Sequence, residues 1–107
     1  MKYLPLLLTL SFLMGCSDDP LSTNALSPEM TTARNKALTL CSGCHGPSGI
    51  GTSDLIPNLA GQKKAYMVKQ LMDFQRGARG NHPPMRHIAG ILTEKEIELI
   101  SEYYSTR

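Results

Sequence analysis

Tryptophan is absent from the 107 residues, and phenylalanine occurs only at Phe12 and Phe74. Four tyrosines complete the aromatic set. A chain so short of large apolar side chains fills a core poorly without help from a staple or a cofactor. Cysteine is scarce too. Cys16, Cys41 and Cys44 make an odd count that excludes a multi-bridge disulfide framework. No apolar run reaches the ~20 residues a helix needs to span a bilayer; the longest covers residues 3–14. A dominant charge sign is also missing. Eleven basic residues stand against nine acidic ones, which gives no electrostatic case for a nucleic-acid partner. No stretch alternates at period two, so no strand is expected.

What is present begins with Lys2 and the apolar residues 3–14, a short basic start and a short apolar core that read as a secretory signal. Leu13-Met14-Gly15-Cys16 resembles the lipobox of bacterial lipoproteins. That resemblance implies cleavage before Cys16 and acylation of its thiol. Several acyl chains, at about 0.8 kcal/mol per buried methylene, anchor firmly. Residues 17–28, SDDPLSTNALSP, are polar and aperiodic and read as a tether. The expected organisation is a signal peptide over 1–15, a lipidated N-terminus and flexible tether over 16–29, and one folded domain over 30–107. If the lipobox is not used, the expected product is free in the periplasm.

Within that domain the spacing is helical. Ser27-Pro28-Glu29 has a cap and a first-turn proline, and Met30, Ala33, Ala37, Leu38 and Leu40 follow at helical intervals. Glycines and prolines make residues 43–61 a loop. A second helix is expected over 62–76, with Ala65, Val68, Leu71 and Met72 facing inward and Gly77 ending it. Residues 78–90, ARGNHPPMRHIAG, read as irregular chain. Thr93-Glu94-Lys95-Glu96 is a capping box that opens a last helix, with Ile97, Ile100 and Tyr104 buried and Leu92 stapled onto Ile97. Lys63, Lys64 and Lys69 share one helix and read either as a solvated face or as a docking patch.

The chemistry concentrates in Leu40-Cys41-Ser42-Gly43-Cys44-His45-Gly46. C-x-x-C-H is the attachment signature of c-type haem. Two thiols three residues apart lie on one face of a helical turn. Each adds to one porphyrin vinyl group, and His45 is then placed to reach iron. Gly43 and Gly46 let the backbone pass close to the ring. A structural zinc site asks for four ligands, usually two such pairs. A thioredoxin-like redox pair asks for a strand-and-helix context. Neither is supplied, and an exported pair of bare thiols would form a disulfide unless something claimed them.

A sixth iron ligand has five candidates: Met67, Met72, His82, Met85 and His87. Met67 and Met72 fall on the second helix and read as core. Met85 sits in the proline-stiffened NHPPMRH, flanked by His82 and His87. On chemistry alone Met85 leads, with a histidine or an open site as alternatives.

Residues 30–107 resemble the class I monohaem cytochromes c, and among them the short bacterial cytochrome c-four and c-five group. The likeness is carried by CSGCHGPSGIG, IPNLAGQ, YMVKQLMDFQRGAR and MRHIAGILTEKEIELISEYYS, in that order. It implies an all-α fold of three to four helices wrapped around one covalently bound haem c, with the first and last helices crossing. By position it makes Cys41 and Cys44 the thioether attachments, His45 the proximal ligand and Met85 the distal one. Pro57 becomes the residue whose carbonyl orients the proximal imidazole. A single C-x-x-C-H excludes a full two-haem protein. The implied function is a one-electron carrier, not an enzyme. Its donor would be a quinol-oxidising complex or a dehydrogenase, its acceptor an oxidase or reductase. Two rivals are a cytochrome subunit of a larger oxidoreductase, such as a sulfide-oxidising flavocytochrome, and a gas sensor or small peroxidase with an open sixth position.

Overall fold

The computed structural model describes residues 25–107. The expected signal segment, Cys16 and most of the tether lie outside the described residues. No helix among the described residues is long and apolar enough to cross a membrane.

Five helices make up the described chain: α1 Pro28–Leu40, α2 Ser42–His45, α3 Lys64–Arg76, α4 Pro83–Gly90 and α5 Glu94–Ser105. The all-α expectation holds. Helix α1 starts where its sequence signal places it, with Pro28 in the first turn and Ser27 Oγ accepting the Met30 N–H at 3.1 Å. Helix α5 carries both halves of its capping box. Thr93 Oγ1 accepts the Glu96 N–H, and Glu96 Oε1 accepts the Thr93 N–H, each at 3.1 Å. The other carboxylate oxygen of Glu96 pairs with Lys36, so one side chain both caps α5 and ties it to α1. Gly77 closes α3 in the left-handed conformation, φ 79°.

Helix α4 corrects the reading of residues 78–90 as irregular. Pro83 and Pro84 occupy the first helical positions, where a missing N–H costs nothing because that donor has no intrahelical acceptor. The prolines start a helix there instead of preventing one. A second correction concerns the inner face of α3. Met67 and Phe74 are its buried residues, Val68, Leu71 and Met72 are half-buried, and Ala65 is exposed. The face is split between two neighbours: Val68, Leu71 and Met72 pack on the core, while Met67, Gln70, Leu71 and Phe74 line a cleft.

The core is small. Ala33 and Ala37 of α1 are buried against a cluster that includes Ile97, Ile100, Tyr103 and Tyr104 of α5. Two alanines four residues apart let the helices approach closely, so α1 packs along α5. Leu92 and Ile97 share this cluster, as the staple pattern anticipates. Gln75 clamps α3 to the far end of α4: its Nε2 donates to the carbonyls of Ala89 and Leu92 at 3.0 and 2.6 Å.

Lys64 bridges to Glu98 and Glu102 at 3.3 and 3.4 Å, and Lys69 pairs with Asp73. These carboxylates hold the Lys64 ammonium above its ordinary pKa, Glu98 most of all. Two of the three lysines once grouped as a patch are thus neutralised within the fold, which is the solvated-face reading. Exposed pairs of this kind contribute little stability, because solvent and salt screen them.

The loop from residue 46 to 63 is held by its own backbone. Gly46 accepts from Gly49 at 3.1 Å, and the Gly49 carbonyl accepts from both Leu59 and Ala60 at 2.7 and 3.0 Å. Gly61 donates to the Tyr104 carbonyl at 3.0 Å, fixing the loop to the end of α5. Gly46 has φ 79° and ψ 153°, a conformation open only to glycine. A Cβ there would also collide with the Ile50 carbonyl oxygen. The need for Gly46 is therefore this turn, while Gly43 stands in open space. Chemical denaturation of the holoprotein should show Thr93→Ala losing about 1 kcal/mol, the usual cost of a lost cap. Gly46→Ala should lose more, on the order of 2 kcal/mol or above; equal losses would contradict the account of the turn.

Candidate cofactor site

Helix α1 ends and α2 begins at Cys41. Its backbone N–H still donates to Ala37 at 2.8 Å, while its carbonyl accepts from Cys44 and His45 at 3.3 and 2.9 Å. Ser42 Oγ bonds back to the Leu38 carbonyl and stabilises the bend. The single turn of α2 then presents Cys41, Cys44 and His45 to one cleft. Cys41 is half-buried and Cys44 exposed, and the two form no disulfide with each other. Burial pushes the Cys41 thiol above its ordinary pKa, and the Tyr104 hydroxyl pulls it partly back.

His45 is 7% exposed. Its Nδ1–H donates to the Pro57 carbonyl at 2.8 Å. A carbonyl only accepts, so Nδ1 carries the proton and Nε2 keeps its lone pair. The imidazole is thereby fixed in the tautomer that a metal requires. Pro57 is held in place through its loop: Asn58 Oδ1 accepts the Gly51 N–H at 2.8 Å, and the Cys44 carbonyl accepts from the Thr52 N–H and hydroxyl at 3.0 and 2.9 Å.

The cleft encloses ≈ 440 Å³, within the usual range for a cofactor or drug-sized ligand, roughly 300–1,000 Å³. Its walls are mostly apolar. Leu40 comes from α1, Ile56 and Leu59 from the loop before α3, Met67, Leu71 and Phe74 from α3, and Met85, Ile88, Leu92 and Ile100 from α4, the turn after it and α5. All of Cys41, Cys44, His45, Pro57 and Met85 line it. Of the remaining sixth-ligand candidates, Met67 and His82 also line it, whereas Met72 and His87 do not. Met67 is 6% exposed and so belongs to the cleft wall as well as the core.

Two buried hydroxyls in this wall, Ser101 Oγ and Tyr104 OH, have no hydrogen-bond partner of good geometry. The Tyr104 hydroxyl has the Cys41 thiol beside it, a weak partner at best. Buried polar groups left unpaired are costly, and such groups here face the cleft. A haem fits this donor set: apolar walls for the ring, paired thiols on one helical turn, a neutral imidazole with a free lone pair, and a thioether in the same cavity. Sequence reasoning did not single out Ser101, Gln70 or Arg79, which also line the cleft. Only their three- and four-residue spacing from cleft residues on the same elements would have found the first two.

A family profile described as cytochrome c matches residues 33–106. Cytochrome c4 from Stutzerimonas stutzeri is 43% identical over an alignment of 74 residues that covers 64% of this chain and 35% of that protein. A thiosulfate dehydrogenase electron acceptor from Stutzerimonas stutzeri strain A1501 is 39% identical over an alignment of 67 residues that covers 61% of this chain and 31% of that protein. The crystal structure of reduced recombinant cytochrome c4 from Pseudomonas stutzeri is similar at a TM-score of 0.63 and 35% identity, over 74% of this chain and 48% of that one. The match thus spans about a third of the length of these curated relatives. It nonetheless takes in the C-x-x-C-H turn, the loop to Pro57, and helices α3 to α5. This chain belongs to the cytochrome c family, whose cofactor is a covalently bound haem c.

Proposed function

We propose that this protein carries single electrons, with Cys41 and Cys44 as the thioether attachments of one haem and His45 and Met85 as its axial ligands. The observation that carries the reading is the shared cleft: the oriented His45 imidazole, the Met85 thioether and both cysteines line one cavity. When bound, the haem supplies an iron that cycles between Fe(III) and Fe(II). The chain's own residues do the rest. Pro57 holds the His45 ring in orientation and raises its basicity. Met85 would hold the iron by its thioether and leave no position for oxygen or substrates; a thioether ligand raises the potential. The apolar walls from α3 and α4 keep water from the ring. Cys44, the exposed cysteine of the pair, would hold the haem on the side open to solvent.

The partners are redox proteins met in brief encounters. A relative named as the electron acceptor of a thiosulfate dehydrogenase supports a dehydrogenase as donor; a quinol-oxidising complex is the other proposed donor, and an oxidase or reductase the proposed acceptor. Cys16, acylated at the lipobox-like site, would hold the domain at the periplasmic face of a bacterial membrane through the tether. That tether raises the effective concentration near membrane-bound partners.

Met85→Ala tests the closed site. Its ferrous form should bind carbon monoxide readily and its midpoint potential should fall, while wild type should bind none. Carbon monoxide binding by both proteins alike would remove Met85 from the iron. Fractionation tests the anchor. Cys16→Ser should move the protein from the membrane to the soluble periplasmic fraction, and retention on the membrane would end the lipoprotein reading.

A further inference from the structure

Two buried hydroxyls in the cleft wall have no part in the function above. Ser101 is 0% exposed and Tyr104 1%, and neither Ser101 Oγ nor Tyr104 OH has a hydrogen-bond partner of good geometry. They stand three residues apart on α5, so they share one face of that helix. Both residues line the cleft. A hydroxyl buried without a partner is costly, but the two are not equivalent. A serine hydroxyl turns about one bond and can bond back to the carbonyl four residues earlier, here that of Ile97. A tyrosine hydroxyl sits at the end of a rigid ring and goes only where the ring goes.

The Tyr104 ring is held on several sides. The Tyr103 ring meets it edge-on, with centroids 5.2 Å apart and planes at 62°. Gly49 passes so close that a Cβ there would stand 3.0 Å from Tyr104 Cδ1. The backbone is fixed as well: the Tyr104 carbonyl accepts the N–H groups of Gly61 and Arg107 at 3.0 and 3.1 Å. So placed, the hydroxyl has the Cys41 side chain beside it, where α1 passes into α2. Burial, and after it the neighbouring Cys41, pushes the Tyr104 hydroxyl far above its ordinary pKa. It is therefore an O–H donor throughout the working range of pH.

A free thiol is a weak donor and a weak acceptor, so this pair can orient in two ways. Haem attachment leaves one. The S–H bond adds across a vinyl group, sulfur to the carbon next to the ring and the proton to the outer carbon. The product is a thioether, whose sulfur carries no proton and only accepts. We propose that Tyr104 is a positioning residue for the cofactor: its hydroxyl donates to the Cys41 thioether sulfur, pins that edge of the ring against α5 and favours the reduced iron. The inference rests on the reading of Cys41 as a thioether attachment and not on which residue is the sixth ligand. It makes the two attachments unequal, because Cys44 is exposed and its sulfur meets solvent instead. The positive end of the O–H dipole stands on the ring side, where it favours the state with the extra electron on iron.

The test uses the holoprotein as wild type, as Tyr104→Phe and, for a control, as Tyr103→Phe. Tyr103 is the adjacent buried tyrosine, and it does not line the cleft. Phenylalanine keeps the ring and its packing and removes only the hydroxyl. At fixed electrode potential Tyr104→Phe should lower the Fe(II)/Fe(III) ratio roughly threefold, the scale of one neutral hydrogen bond. Tyr103→Phe should leave the ratio unchanged. Proton NMR of the ferrous wild type reads the bond itself. The Tyr104 hydroxyl proton should appear as a slowly exchanging resonance with a cross-peak to the thioether proton of the Cys41 attachment, and Tyr104→Phe should lack it. If Tyr104→Phe shifts the ratio no more than Tyr103→Phe, or if wild type shows no such resonance, the proposal is overturned. Should Tyr104→Phe not fold, the wild-type resonance alone decides. An open sixth position would not confuse the result, because the ferrous carbon monoxide adduct is also diamagnetic and gives the same readout. Attachment is read separately, by mass spectrometry of the haem peptide; an unmodified Cys41 would remove the thioether reading, and this proposal with it.

Discussion

The polypeptide reserves ≈ 440 Å³ of its middle for a cofactor, and the rest of the structure is arranged around that volume. Few large apolar side chains are available to close a core. Of the ten buried hydrophobic residues among the described residues, three are alanines and only three are aromatic. Packing of α1 on α5 gives one compact seam through Ala33 and Ala37. Ile100, Ser101 and Tyr104 of α5 also line the cleft. Helix α3 gives Val68 and Met72 to the seam and Met67, Gln70 and Phe74 to the cavity. A small domain of this kind gains the stability its chain cannot supply by treating a prosthetic group as core.

The second constraint is orientation. An imidazole coordinates a metal through one nitrogen only if the other carries the proton, and the Pro57 carbonyl enforces that choice. The loop that positions Pro57 therefore belongs to the site as much as the C-x-x-C-H turn does. Gly46 makes the reversal that sends the chain back over His45. Thr52 and Asn58 lace it down, and the Gly61 to Tyr104 bond fastens it to α5. The loop lacks regular structure but is dense in hydrogen bonds, which is what a fixed ligand geometry asks of it.

Much of this was legible in the sequence, for physical reasons. Ser27-Pro28 and Thr93 to Glu96 are local signals, each satisfied within four residues, and both appear where their chemistry places them. C-x-x-C-H carries its meaning in its spacing. Legibility failed where a residue's role depends on two neighbours at once. Pro83 and Pro84 read as stiffeners of a loop, because proline is compatible with a helix only in its first turn, and nothing nearby marked that turn. The inner stripe of α3 was read as one face against one partner. A face shared between core and cofactor rotates the buried set to Met67 and Phe74 and leaves Ala65 outside. Gln75 was invisible, since its two carbonyl acceptors lie fourteen and seventeen residues away in sequence. Met72 and His87 were fair candidates by type, but the fold places them away from the cleft that Met85 and His82 share.

The central claim is that this chain closes both axial positions of a single haem and so leaves electron transfer as its chemistry. The absorption spectrum of the purified ferric wild-type protein tests it most directly. A weak charge-transfer band in the far red, from methionine sulfur on ferric iron, is the predicted result. A spectrum without that band, from protein fully loaded with haem, would contradict the account and return the sixth position to His82 or to solvent.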